Sequence, residues 1–186
     1  MSKVFISYSH KDVNWKDRVV KQLSVLEREG KLEIWDDRRI AGGDDWLPEI
    51  KQAMQECDVA LLLISADFLT SGFILGTEVP NLLKRGVKEG IRVIPLILWP
   101  CAWTQVTWLS GIQARPIDGS PLSSLSKNKA EAALSALVEE VLHLTPRNPP
   151  KRDCIRPSRL RGNCRHFIGR KAELELLDRG TIGVSP

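Results

Sequence analysis

Val59-Ala-Leu-Leu-Leu-Ile-Ser65 and Arg92-Val-Ile-Pro-Leu-Ile-Leu98 decide the fold. Neither run alternates apolar with polar residues, as a strand with one wet face would. A strand that is apolar on both sides is buried on both sides, which is the condition of the middle of a parallel sheet covered by helices. Both runs are also far shorter than the roughly 20 residues that a membrane-spanning helix needs.

Upstream of these runs, Lys3–Tyr8 (KVFISY) is a β-rich segment followed by Asp12, a good helix N-cap. Behind that cap Trp15, Val19, Leu23 and Leu26 recur at helical spacing, with Gly30 as the stop. Leu32–Trp35 reads as a second short strand. A polar, glycine-containing loop, Asp36–Asp45, leads into a helix whose apolar face is Trp46, Ile50, Ala53 or Met54, and Cys57. A helix over roughly Gly72 to Arg85 lies between the two apolar runs. A Pro/Trp-rich segment from Trp99 to Ser126 reads as loops with one short edge strand. A last amphipathic helix, about Lys127 to Leu144, carries Leu134, Leu137, Val138, Val141 and Leu142. The order β-α-β-α-β-α-β-loop-α predicts an α/β doubly wound sheet of four or five strands. Thr145-Pro-Arg-Asn-Pro-Pro ends it, because prolines at that density cannot continue a helix.

Composition narrows the function. The chain has 186 residues, 42% of them hydrophobic and 27% charged, the balance of a soluble globular domain. Its net charge of +4 is unevenly spread. From Arg147 onward there are ten basic and four acidic residues, whereas residues 1–146 hold 17 basic and 19 acidic ones. The basic character belongs to the tail, so no specific nucleic-acid partner is expected for the domain. Four cysteines without a C-x-x-C pair predict neither a zinc site nor a disulfide framework. With no secretory signal at the start, the expected location is cytoplasmic, without a membrane anchor. Phosphate-loop and dinucleotide glycine signatures are missing, and His10, His143 and His166 accompany no G-x-S-x-G elbow.

In a doubly wound sheet ligands bind beyond the carboxyl ends of the strands. That rule selects Ser7–His10, Asp36–Trp46 and Ser65–Glu78. Within them Glu78 stands out, because Pro80 two residues later would leave the Gly76 carbonyl without its helical partner and kink the helix beside the acid. Two readings stay open for it: a desolvated functional carboxylate flanked by Phe73, Ile74 and Leu75, or an ordinary surface glutamate.

Taken together, VFISYSHKD at the start, the IWDDRRIAGGDDW loop, VALLLISADFL, the E-x-P helix at Glu78 and RVIPLIL before Trp-Pro-Cys resemble a bacterial TIR (Toll/interleukin-1 receptor) domain over residues 1–144. The resemblance implies a flavodoxin-like parallel five-stranded sheet with helices on both faces, and makes Asp36–Asp45 the BB loop. It further implies an NAD⁺ glycohydrolase that breaks the nicotinamide–ribose bond to give nicotinamide plus ADP-ribose or a cyclic isomer, with NAD⁺ as substrate and no cofactor or metal. By motif position Glu78 is the catalytic glutamate. Ser9 and His10 follow the SY of the first strand, where some relatives carry basic residues. Asp36 opens the BB loop, and Trp46 lies one place from an aromatic that stacks on the substrate in relatives; it reads equally as a buried helix-start residue. Ile74, with Phe73 beside it, stands where some active relatives carry tryptophan.

TIR domains generally self-associate, so assembly through the 36–45 loop is expected to complete the site, and the rival reading is a non-catalytic adaptor acting through TIR–TIR contacts. Residues 145–165 read as a Pro/Arg-rich linker. His166-Phe-Ile-Gly-Arg-Lys-Ala-Glu-Leu resembles the segment that opens STAND or AAA-type NTPase modules, making 166–186 the start of one. The architecture this implies is a TIR effector joined to an NTPase sensor, commonly in bacterial antiviral defence.

Overall fold

Strand β3 (Val59–Ile64) is buried along its whole length, as its unbroken apolar sequence requires. It lies at the centre of a computed structural model that describes residues 1–35 and 46–144. Beside it run β1 (Ser2–Ser7) on one side and β4 (Arg92–Ile97) on the other, and β2 (Leu32–Trp35) flanks β1. All three pairings are parallel, and the order β2-β1-β3-β4 is the doubly wound one. Register is fixed by pairs such as Ser7 with Leu62 and Ile64 with Ile97.

Alternation along the strands assigns each helix to a face. Val4, Ile6, Leu61, Leu63, Ile94 and Leu96 point to one side, where α1 (Val13–Arg28) and α6 (Lys127–Leu144) cover them with Val19, Leu23, Leu134 and Leu137. Phe5, Ala60, Leu62, Ile64 and Ile97 point to the other, under α2 (Trp46–Glu56) and the helix that follows β3. Both Ala53 and Met54 of α2 are buried there. Burying a side chain such as Phe5 contributes roughly 1.5–3 kcal/mol. Gly30, with φ of +64°, turns the chain from α1 into β2 in a conformation other residues adopt only with strain.

Three details differ from the sequence reading. Asp12 stands at the N-cap position of α1 but does not cap it. Its carboxylate instead accepts hydrogen bonds from Ser65 Oγ at 2.5 Å and Trp99 Nε1 at 3.1 Å, tying together the segments after β1, β3 and β4. Ser65 Oγ in turn caps the short α3 (Ala66–Leu69), accepting from the Phe68 N–H at 3.0 Å.

The sheet has four strands among the described residues, and a fifth is reduced to one parallel bridge between Leu96 and Arg115. Arg115 N–H donates to the Pro95 carbonyl and its own carbonyl accepts from Ile97 N–H, both at 2.7 Å. On the β4 edge that faces this segment Pro95 has no N–H to donate, so the ladder cannot extend past Arg115 on that side.

The helix after β3 starts at Gly72, widens into a π turn at Ile74–Glu78 and continues as α4 (Val79–Lys88), past the expected end at Arg85. Across the π turn the Val79 N–H donates to the Ile74 carbonyl, five residues back. In a regular helix interior proline costs about 3 kcal/mol; here the widened turn lies just before Pro80. The segment Trp99–Ser126 holds only short turns and α5 (Thr107–Ser110). Among the described residues no helix is long and apolar enough to cross a membrane. The 36–45 loop, the 145–165 linker and the 166–186 segment lie outside the described residues.

Candidate functional site

Ser7 is the last residue of β1 and has the parity of Phe5, so its side chain faces the side covered by α2 and α4. Glu78 closes the π turn on that same side. The two meet: Ser7 Oγ donates a hydrogen bond to Glu78 Oε2, and the residues are 2% and 6% exposed. A carboxylate removed from water needs such donors, because burial without them costs more than a hydrogen bond returns. Glu78 is therefore not the surface glutamate that its helical position alone would suggest.

Both side chains line a cavity of about 620 Å³ at the carboxyl ends of β1 and β2, beside the point where the strand order reverses. That is where doubly wound sheets bind ligands, and the volume is that of a small-molecule site. Of the seven residues singled out from the sequence, Ser9, His10, Phe73, Ile74 and Glu78 come together in its wall. Asp36 and the side chain of Trp46 lie outside the described residues.

Sequence reasoning missed the aromatic floor. Phe5 and Trp35 stack with ring centroids 5.2 Å apart and planes at 20°, and both face the cavity. The available signal was position, since Trp35 is the last residue of β2 and Phe5 pairs with it across the ladder. An aromatic surface of this kind suits a planar ring by offset stacking.

On the β1 side, Tyr8 contributes to the wall between two cationic or ionisable neighbours. His10 approaches its ring edge-on at 5.8 Å between centroids, and Nζ of the buried Lys16 lies 5.3 Å from the ring centroid. Lys16 also pairs with Asp17 at 3.1 Å. His10 itself is exposed at the rim. Lys11, beside it, is paired with Asp67 at 2.6 Å, and that hydrogen bond holds its ammonium above the ordinary pKa. The rim thus joins the β1 loop to the segment after β3. Chemically, the site combines one buried carboxylate, a hydroxyl donor, stacked aromatic rings and a basic rim.

The family model for the TIR domain matches residues 4–138. An uncharacterized protein, y4lF, of Sinorhizobium fredii is 39% identical over 123 residues, covering 66% of this chain and 38% of that protein. The chain thus matches well under half the length of that relative. Solved structures with a similar outline include the TIR domain of the Toll-related receptor TRR-2 from Hydra magnipapillata, 16% identical, with a TM-score of 0.45 over 75% of this chain and 97% of that one. A prokaryotic SEFIR domain is 18% identical, with a TM-score of 0.48 over 84% and 100%. The TIR domains of the activated Roq1 resistosome are 19% identical, with a TM-score of 0.44 over 75% and 84%. These distant likenesses add no weight to the assignment. The family match does, because it runs from within β1 through β4 and takes in the whole wall of the cavity: this chain belongs to the TIR domain family.

Proposed function

We propose that this TIR domain is an NAD⁺ glycohydrolase whose catalytic carboxylate is Glu78. The observation that carries the reading is the burial of Glu78 against Ser7 in the wall of a cavity with an aromatic floor. Nicotinamide is bound to ribose through a positively charged ring nitrogen. When the C–N bond breaks, its electron pair neutralises that ring, so no general acid is needed and positive charge develops on the ribose. A carboxylate beneath the ribose stabilises that charge and accepts hydrogen bonds from its hydroxyls. Water then adds at the anomeric carbon and loses a proton, giving ADP-ribose; attack by the substrate's adenine gives a cyclic isomer. Trp35, backed by the buried Phe5 on which it stacks, offers a surface for a planar ring, and Ser9 and His10 stand at the rim for the diphosphate. The proposed substrate-binding set also includes Phe73 and Ile74 of the wall, Asp36 of the 36–45 loop and Trp46 at the start of α2.

Self-association through the 36–45 loop is part of the proposal, as is a role as the effector of an NTPase sensor in antiviral signalling, with 166–186 opening the NTPase module. The test is nicotinamide release from NAD⁺ as a function of protein concentration, with a crowding agent to favour assembly. A rate per subunit that rises with concentration is expected. A constant rate contradicts the assembly requirement, and no release at any concentration contradicts the enzyme. One observation favours the second reading, a non-catalytic adaptor: Ile74 occupies the position where some active relatives carry tryptophan.

A further inference from the structure

The buried residues of the helix after β3 record a break in its phase. Val79 and Leu82 face the core, three residues apart, as one face of an α-helix does. Continued backwards regularly, that face would place Leu75, four residues before Val79, on the inside. The inside residue is instead Ile74, five before Val79, and Leu75 is only half-buried. The hydrogen bond from Val79 N–H to the Ile74 carbonyl is the cause, since one extra residue in the turn shifts everything upstream by one position. One position on a helix is about 100° around its axis. Upstream lie Ser71, Phe73 and Ile74, three residues of the cavity wall; downstream lies the frame that carries Glu78.

We propose that Pro80 is a positioning residue of the cavity: by withholding an N–H from the first turn of α4 it holds the π turn, and the π turn sets Phe73 and Ile74 in register with Glu78. An alanine at position 80 supplies the missing donor and lets the helix close with the ordinary four-residue spacing. Leu75 then takes the place of Ile74, and the wall opposite Glu78 is rebuilt from the wrong residues. Removing one residue from the turn in the same background restores the phase, because Ile74 then stands four positions before Val79. Gly76 is the residue to remove, as no atom outside its own helix lies within 4 Å of a Cβ built on it. The effect on catalysis rests on the NAD⁺ reading above; the effect on register does not.

The experiment compares the full chain, Pro80→Ala, and Pro80→Ala with Gly76 deleted. Backbone nuclear Overhauser contacts across residues 74–80 report helix register, and nicotinamide release from NAD⁺ reports kcat and KM separately. Expected are four-residue register in Pro80→Ala with a fall of about tenfold or more in kcat, and recovery of kcat to within a few-fold in the deletion variant. A Pro80→Ala protein that keeps the five-residue spacing overturns the proposal, as does one that loses the spacing and keeps its kcat. Regular register in both variants without recovery of kcat shows that phase is not what Pro80 supplies. If the unaltered protein releases no nicotinamide, the NAD⁺ reading fails, and the register measurement still decides whether Pro80 holds the turn.

Discussion

Ser7 and Glu78, 71 residues apart in sequence, share a buried hydrogen bond in the wall of the cavity, the serine hydroxyl donating to the carboxylate. The bond exists because strand parity turns Ser7 toward the face that α4 covers, and Glu78 shares the inward face of Val79 and Leu82 at the start of α4. It fixes one oxygen of the carboxylate and leaves its orientation dependent on a residue outside the helix.

Ser7→Ala removes that donor while keeping the fold. We expect kcat for nicotinamide release to fall about tenfold with KM nearly unchanged, and stability to fall by about 1–3 kcal/mol, the cost of taking a donor from a buried acceptor. Steady-state kinetics and urea unfolding read the two effects. An unaltered kcat would mean that Ser7 packs beside Glu78 without orienting it.

Asp12 is, among the described residues, the second buried carboxylate, holding Ser65 and the Trp99 indole. Asp12→Ala leaves two donors without their acceptor, and we expect a loss of about 1–3 kcal/mol. Tryptophan fluorescence should change as well, since the Trp99 N–H is released to water. Urea unfolding that gives the stability of the unaltered protein would show that the network carries no load.

Cys57 makes the alkaline range informative. Burial pushes its thiol up from an ordinary 9.0 to about 11, against the opposing pull of the Arg85 guanidinium, whose Nη1 lies 3.5 Å from the sulfur. The folded state therefore keeps a proton that the unfolded state releases. Stability from this group is constant below pH 9 and falls as pH rises toward about 11, at no more than about 1.4 kcal/mol per unit. Urea midpoints for the unaltered protein and Cys57→Ala at pH 8 to 11 isolate the effect, and the variant should lose stability less steeply. Parallel profiles would contradict it.

The sheet was legible because burial on both faces leaves a direct mark: the apolar runs at 59–65 and 92–98 became β3 and β4. The helix at Lys127–Leu144 was legible for the same reason, its spacing being that of one covered face. The reduction of the expected fifth strand to one bridge was not legible, because the donor it lacks is the missing N–H of Pro95 on the neighbouring strand, a feature of the partner edge rather than of the segment itself. Glu78 and the rim residues could be picked out by their positions after the strands. The partner of Glu78 and the Phe5–Trp35 floor could not, since both arise from contacts between strands and a helix distant in sequence. Asp12 misled because its short side chain serves a cap and a buried network equally well, and the choice was made by Ser65 and Trp99.

The central claim is that the Glu78 carboxylate performs the chemistry. It is tested most directly by comparing nicotinamide release from NAD⁺ by the assembled protein with release by Glu78→Gln, which keeps the size of the side chain and an acceptor for Ser7 but removes the charge. The account predicts a loss of about a hundredfold or more in kcat, with oligomer size by light scattering unchanged. Equal release by the two proteins would contradict it.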